Sequence, residues 1–121
     1  MAEAAGEWDT AFLLDMLLAA RDARAFLNGM DEASFMASRL HQNAVARSLE
    51  IIGEAAGRVS RTLQDAHPEI PWRDIVGMRN RLIHGYADVR LDVVWSVADI
   101  QLEALISALQ PMIPDEAAGA D

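Results

Sequence analysis

The chain has 121 residues, 52% of them hydrophobic and 24% charged, which allows one modest core, leaves no room for two, and excludes a disordered composition. It has no cysteine, which removes disulfides, thiol nucleophiles and thiolate-held zinc together and fits a reducing compartment. A formal net charge of −9 argues against a protein that coats nucleic acid by bulk electrostatics.

Residues 1–121 read as one helical domain whose ends, 1–8 and 113–121, are expected to fray. The stretch Met1 to Glu7 is acidic and lacks the basic and apolar regions of a leader peptide. The most apolar run, Ala11 to Ala20, is broken by Asp15 and falls short of the ~18 residues of a membrane span. A cytoplasmic protein is the expectation.

Asp9 or Thr10 can cap a first helix reaching about Leu27, with Leu13, Leu17, Ala20, Ala23 and Leu27 on one face and Asn28-Gly29 ending it. Asp31 opens a short helix carrying Ser34 and Phe35, which bends near Ser38 into a long helix from about Leu40 to Ala66. There Val45, Leu49, Ile52, Ala56, Val59 and Leu63 alternate spacings of four and three, a seam that needs a partner helix. Gly53 lies beside the seam, where a missing side chain lets a helix approach closely.

The main break is His67-Pro68-Glu69-Ile70-Pro71, and Pro71 suits the first position of a fourth helix. That helix runs through Trp72, Ile75, Val76, Met78, Leu82 and Ile83 and falters at Gly85. A last helix spans about Leu91 to Leu109, with Trp95, Ala98, Leu102, Leu105 and Leu109 on one face and Pro111 and Pro114 beyond it. The expected fold is all-α, an up-and-down bundle of four main helices plus a short one. Apolar residues left over, such as Ile51, Val93 and Val94, suggest a homodimer.

All ten cations are arginine, and their placement is uneven. Between positions 73 and 90 lie Arg73, Arg79, Arg81 and Arg90 against Asp74 and Asp88, a local balance of +2 within a chain of −9. An anion would bind here first, with Arg73, Arg81 and Arg90 as candidate phosphate contacts. Within Arg79-Asn80-Arg81-Leu82-Ile83-His84-Gly85-Tyr86, Asn80 and His84 share a helix face. Arg79 and His84 lie roughly 140° apart on a continuous helix, so one copy points them in different directions and two copies could join them in one groove.

These residue types suit attack on a phosphodiester. A histidine can take the proton of a ribose 2′-hydroxyl, an arginine matches phosphate in charge and fork geometry, and an asparagine can orient either. None of this requires a metal. The plainer alternative is that His84 sits at a helix C-terminus, where a cationic ring favours the dipole. His41, Glu50 and Glu54 lack the spacing of a zinc site, and Glu54 is expected to pair with Arg58 one turn on. His67 reads as a surface turn residue, and Trp72 and Trp95 as core or interface anchors.

Three blocks in order give the chain a family resemblance: Leu49-Glu50-Ile51-Ile52-Gly53-Glu54-Ala55-Ala56, His67-Pro68-Glu69-Ile70-Pro71-Trp72, and Met78 through Tyr86, which reads R-x-x-x-x-H-x-Y. From about Thr10 to Leu109 the sequence resembles the HEPN superfamily, specifically HepT-like toxins paired with minimal nucleotidyltransferase (MNT) antitoxins. The resemblance implies the toxin of a type VII-like toxin–antitoxin system. This would be a homodimeric, metal-independent endoribonuclease with Arg79, Asn80 and His84 as catalytic residues at the dimer groove. It implies further that the partner nucleotidyltransferase, using its own ATP and Mg²⁺, silences the toxin by adding AMP to Tyr86, while this chain needs no cofactor. One departure is Arg90, which stands where an Asp cap would be expected; Asp88 or Asp92 could compensate. The alternative is a non-catalytic helical module that binds nucleotide or its partner without cutting RNA.

Overall fold

A computed structural model describes residues 6–85 and 89–114. Helix α1 spans Asp9–Phe26, α2 Glu32–Met36, α3 Arg39–Arg58, α4 Arg61–Ala66 and α5 Trp72–His84. The last helix is α6, Leu91–Ser96, continued through a wide π turn, Val97–Gln101, into α7, Leu102–Leu109, with a 3₁₀ turn at Gln110–Met112. No strand occurs among the described residues. The fold is the expected all-α bundle, with α1, α3, α5 and α6–α7 alternating in direction. Of the tails 1–8 and 113–121 expected to fray, residues 1–5 and 115–121 lie outside the described residues, as do Asp88, a candidate compensating cap, and Tyr86.

The core gathers one stripe from each helix. Leu13, Met16, Leu17 and Ala20 of α1, Val45, Leu49, Ile52 and Ala56 of α3, Met78 and Leu82 of α5, and Val94, Ala98, Leu102, Leu105 and Leu109 of the last helix are all buried. Phe35 of α2 is fully enclosed and meets Trp95 in a tilted ring pair 5.5 Å apart. Ile113, assigned to a tail from the sequence, is buried in this core instead.

Local chemistry sets the breaks. Asp31 forms a capping box with Ser34, whose backbone N–H holds the Asp31 carboxyl below the usual carboxylate range. The α2 cap is therefore intact at neutral pH and loosens as acid protonates Asp31. Buried Gln42 donates to the carbonyls of Phe35 and Met36 at 3.0 and 3.1 Å, closing the far end of α2. Gly29 takes φ +79°, the left-handed turn expected after α1.

Two boundaries differ from the sequence reading. The long third helix does not run to Ala66: Val59 turns extended and Ser60 starts α4, its Oγ accepting from Leu63 N–H. Gln64 donates to the freed carbonyls of Ala56 and Val59, so two of the groups opened by the interruption are bonded. Asp9 is not the cap of α1; Trp8 holds that position without a side-chain bond. The Asp9 carboxylate instead accepts from the Ser60 N–H at 2.8 Å and from Ser60 Oγ at 2.6 Å, 51 positions away. Apolar periodicity continued smoothly through Leu63, and neither the tie nor the break leaves a local signal.

The last helix also departs from regularity. Leu102 N–H bonds back to Val97 across five residues, which leaves carbonyls unused by the ordinary ladder. Arg24 of α1 donates from Nη1 to Ala98 O at 3.1 Å and Asp99 O at 3.0 Å, with the Asp99 and Glu103 carboxylates at 3.6 and 3.9 Å. The wide turn is thus held by a cation from the neighbouring helix. No buried side-chain polar atom among the described residues lacks a partner.

Asp9→Ala should lower stability by roughly 1.5–3 kcal/mol, the range for hydrogen bonds to a charged group. Urea unfolding is expected to show a lower midpoint at unchanged slope. An unshifted midpoint would mean that the α1 to α4 tie contributes nothing.

Candidate active site on the fifth helix

Helix α5 packs antiparallel against α3 at unusually short range. A Cβ placed on Gly53 would lie 2.2 Å from the Cβ of Arg79 and 2.9 Å from Ile75 O. The glycine is therefore the condition for this crossing, and the residue it admits is Arg79. With its stem seated on α3, the half-buried Arg79 donates from Nη1 to Asn80 Oδ1 at 3.1 Å. Gly57, one turn on, would place a Cβ 3.7 Å from Val76, an ordinary contact.

Asn80, Arg81, His84 and Gly85 line a hollow of about 300 Å³ at the C-terminal end of α5, and the first three are exposed. Arg79 is not among the lining residues, in keeping with the wide angle between Arg79 and His84. Asn80 connects the two: it borders the hollow and accepts the Arg79 bond. Arg73 stands eleven residues before His84, exposed, in a separate groove with Arg61, Gln64 and Trp72. Tyr86 lies outside the described residues.

Arg90 is engaged elsewhere. It holds the position before α6 without a side-chain cap, and its guanidinium forks onto Asp92 at 2.6 and 3.1 Å. Asp92 also accepts from the Val93 N–H at 3.0 Å, so it supplies part of the missing cap.

The charge pattern separates α5 from the rest. Arg24, Arg47, Arg58, Arg61 and Arg90 each face a carboxylate within 4 Å, including the expected Arg58–Glu54 pair at 3.3 Å. Among the described residues no carboxylate pairs with Arg73, Arg79 or Arg81. Glycine 77 escaped the sequence reading; a Cβ there would meet nothing within 4 Å, so the helix surface between Arg73 and Asn80 is bare. The other histidines have local partners: His41 Nδ1 lies 2.6 Å from Ser38 Oγ, and His67 Nδ1 lies 3.1 Å from Glu69. Trp72 is a core anchor, its Nε1 donating to His67 O. Among the described residues no three His, Asp or Glu side chains gather as a metal site, and no helix is long and apolar enough to cross a membrane.

The chain belongs to the HepT-like family, whose sequence profile, described as "Ribonuclease HepT-like", matches residues 16–112. Among similar proteins is the candidate RNase MJ1380 of Methanocaldococcus jannaschii, 37% identical over 72% of this chain and 80% of that protein. The candidate RNase MJ0125 of the same organism is 33% identical over 87% and 90% of the two chains. A protein of Thermococcus cleftensis named "Probable ribonuclease HepT" is 41% identical over 59% of this chain and 64% of its own length. No solved structure matches the chain.

Gly53→Ala should cost about 1–3 kcal/mol by overpacking the α3–α5 crossing, despite the gain of ~1 kcal/mol in helix propensity. Gly57→Ala, with room for its methyl group, should be neutral or stabilising. Thermal unfolding followed by circular dichroism checks both. Equal melting temperatures for the two variants would show that the crossing yields easily.

Proposed function

We propose that this chain is a metal-independent endoribonuclease, acting as a homodimer, and the toxin of a nucleotidyltransferase-neutralised toxin–antitoxin pair. The observation that carries the reading is the exposed imidazole of His84 in one hollow with Arg81, with Arg79 joined to that hollow through Asn80 and neither arginine paired with a carboxylate among the described residues. Membership of a ribonuclease family supports the choice of RNA as substrate.

In this mechanism His84 takes the proton of a ribose 2′-hydroxyl, the 2′ oxygen bonds to phosphorus, and the bond to the 5′ oxygen breaks. The leaving oxygen takes a proton from a second imidazole, and the products carry a 2′,3′-cyclic phosphate and a 5′-hydroxyl. Arg79 neutralises the phosphorane oxygens, with Asn80 fixing its guanidinium through the bond between them. Arg81 borders the hollow and offers a further phosphate contact; Arg90, already forked onto Asp92, contributes less.

Dimerisation would supply the second imidazole and bring an Arg79 toward the partner's hollow. Its support is apolar: Ile83 inside the motif, Leu40 at the facing end of α3, and Val93 at the start of α6 are all exposed. Tyr86 is the proposed acceptor of an adenylyl group from the MNT-type partner, which would use its own ATP and Mg²⁺. Bulk and negative charge two residues from His84 would exclude an RNA phosphate by sterics and repulsion.

A second reading, a helical module that binds nucleotide or its partner without cutting, draws support from the net charge of −9. One assay separates the two. The purified chain, free of its partner and in EDTA, is expected to cleave RNA, and His84→Ala matched for folding to lose that cleavage by a hundredfold or more. Cleavage that survives His84→Ala rejects the mechanism. No cleavage by either protein, with intact mass showing an unmodified Tyr86, selects the binding module.

A further inference from the structure

The exposed side of α5 carries more than the hollow at its end. At about 100° per residue, Arg73, Gly77, Asn80 and His84 fall within an arc of roughly 60°, while Arg79 points the opposite way into α3. No apolar side chain stands on this stripe. Two concavities open along it, the hollow of Asn80, Arg81, His84 and Gly85 and the larger groove that holds Arg73, and bare Gly77 lies between them.

We infer that this stripe is a track for one RNA strand, with Arg73 gripping a phosphate several nucleotides from the bond cut at His84. The inference rests on the ribonuclease reading and adds to it a substrate of defined minimum length. Eleven residues of helix separate Arg73 from His84 by about 16 Å, too far for both to touch one phosphodiester. Arg73 has no carboxylate partner among the described residues. Its neighbour Asp74 projects about 100° from it around the helix but borders the same groove, and across that groove Arg61 is paired with Asp65. At Gly77 a sugar–phosphate chain can lie against the helix backbone itself, a close approach that any side chain would prevent. Along the Arg73 and Gly77 part of the stripe a second copy of this chain is a poorer occupant, because a helix face with no apolar residue offers little to bury.

Two measurements test the track. Binding of a non-cleavable 2′-O-methyl oligoribonucleotide, followed by fluorescence anisotropy at several salt concentrations, reads contacts whether or not the protein cuts RNA. Arg73→Gln should bind several-fold more weakly, with a log K against log salt slope shallower by about 0.7, the loss of one single-strand phosphate contact. Gly77→Glu, whose side chain enters open space and should leave folding intact, should weaken binding further. Cleavage of substrates lengthened from a dinucleotide to an octanucleotide should accelerate with length in the wild type, and Arg73→Gln should lose that gain. Arg73-dependent binding without cleavage would keep the track and reject the nuclease. Unchanged affinity and salt slope in both variants overturns the track, and a change confined to sedimentation would make the stripe an interface between copies.

Discussion

The crossing of α5 over Gly53 is the constraint on which the rest of the molecule depends. A side chain at this point would push the two helices apart, and with them the seam of Leu49, Ile52 and Ala56 against Met78 and Leu82. Glycine inside a long helix forfeits propensity, and the loss is offset by dispersion contacts along the whole antiparallel pair. The residue admitted by the missing side chain is Arg79, whose polar end reaches Asn80 beside the hollow. Core packing and site geometry therefore share one contact, and a change that relaxes the first displaces the second.

Charge is organised on the same axis. An acidic chain would repel a polyanion, yet most of its arginines outside α5 are spent on carboxylates of their own neighbourhood. Arg73, Arg79 and Arg81 on α5 have no carboxylate partner among the described residues, and Arg81 borders the hollow that holds His84. Local fields decide where an anion settles, and over more than a Debye length the acidic remainder is largely screened at physiological salt. An acidic surface elsewhere also discourages loose, sequence-independent adsorption of a polyanion.

The helices and the four-stripe core were legible because each apolar face keeps its period over several turns. Gly53 was legible for the same reason, as a glycine beside a strong seam. The tie from Asp9 to Ser60 was not, because it joins residues 51 positions apart by side-chain chemistry that carries no periodicity. The Arg79, Asn80 and His84 group was recognisable as a pattern of residue types, and the angle between arginine and histidine followed from helix geometry alone. That Arg73 belongs to a different groove from Arg81 needed coordinates, since a count of local charge cannot distinguish one face from another. The bare surface at Gly77 was overlooked for a similar reason: a glycine in a helix gives no sign of whether its missing side chain faces a neighbour or water.

The wide turn in the last helix had a faint signature that was passed over. Buried positions there run Val94, Ala98, Leu102, Leu105, Leu109 and Ile113, and two successive steps of four outpace a regular helix by about 40° each. One surplus residue absorbs the drift, and Arg24 occupies the carbonyls it liberates. The surplus residue and the arginine are thus a matched pair across two helices. Removing one residue from 97–101 would straighten the backbone and leave Arg24 only the Asp99 and Glu103 carboxylates to face, while losing Arg24 alone would take a donor from the carbonyls of Ala98 and Asp99. Among chains descended from a common ancestor, the insertion and the cation should be gained and lost together.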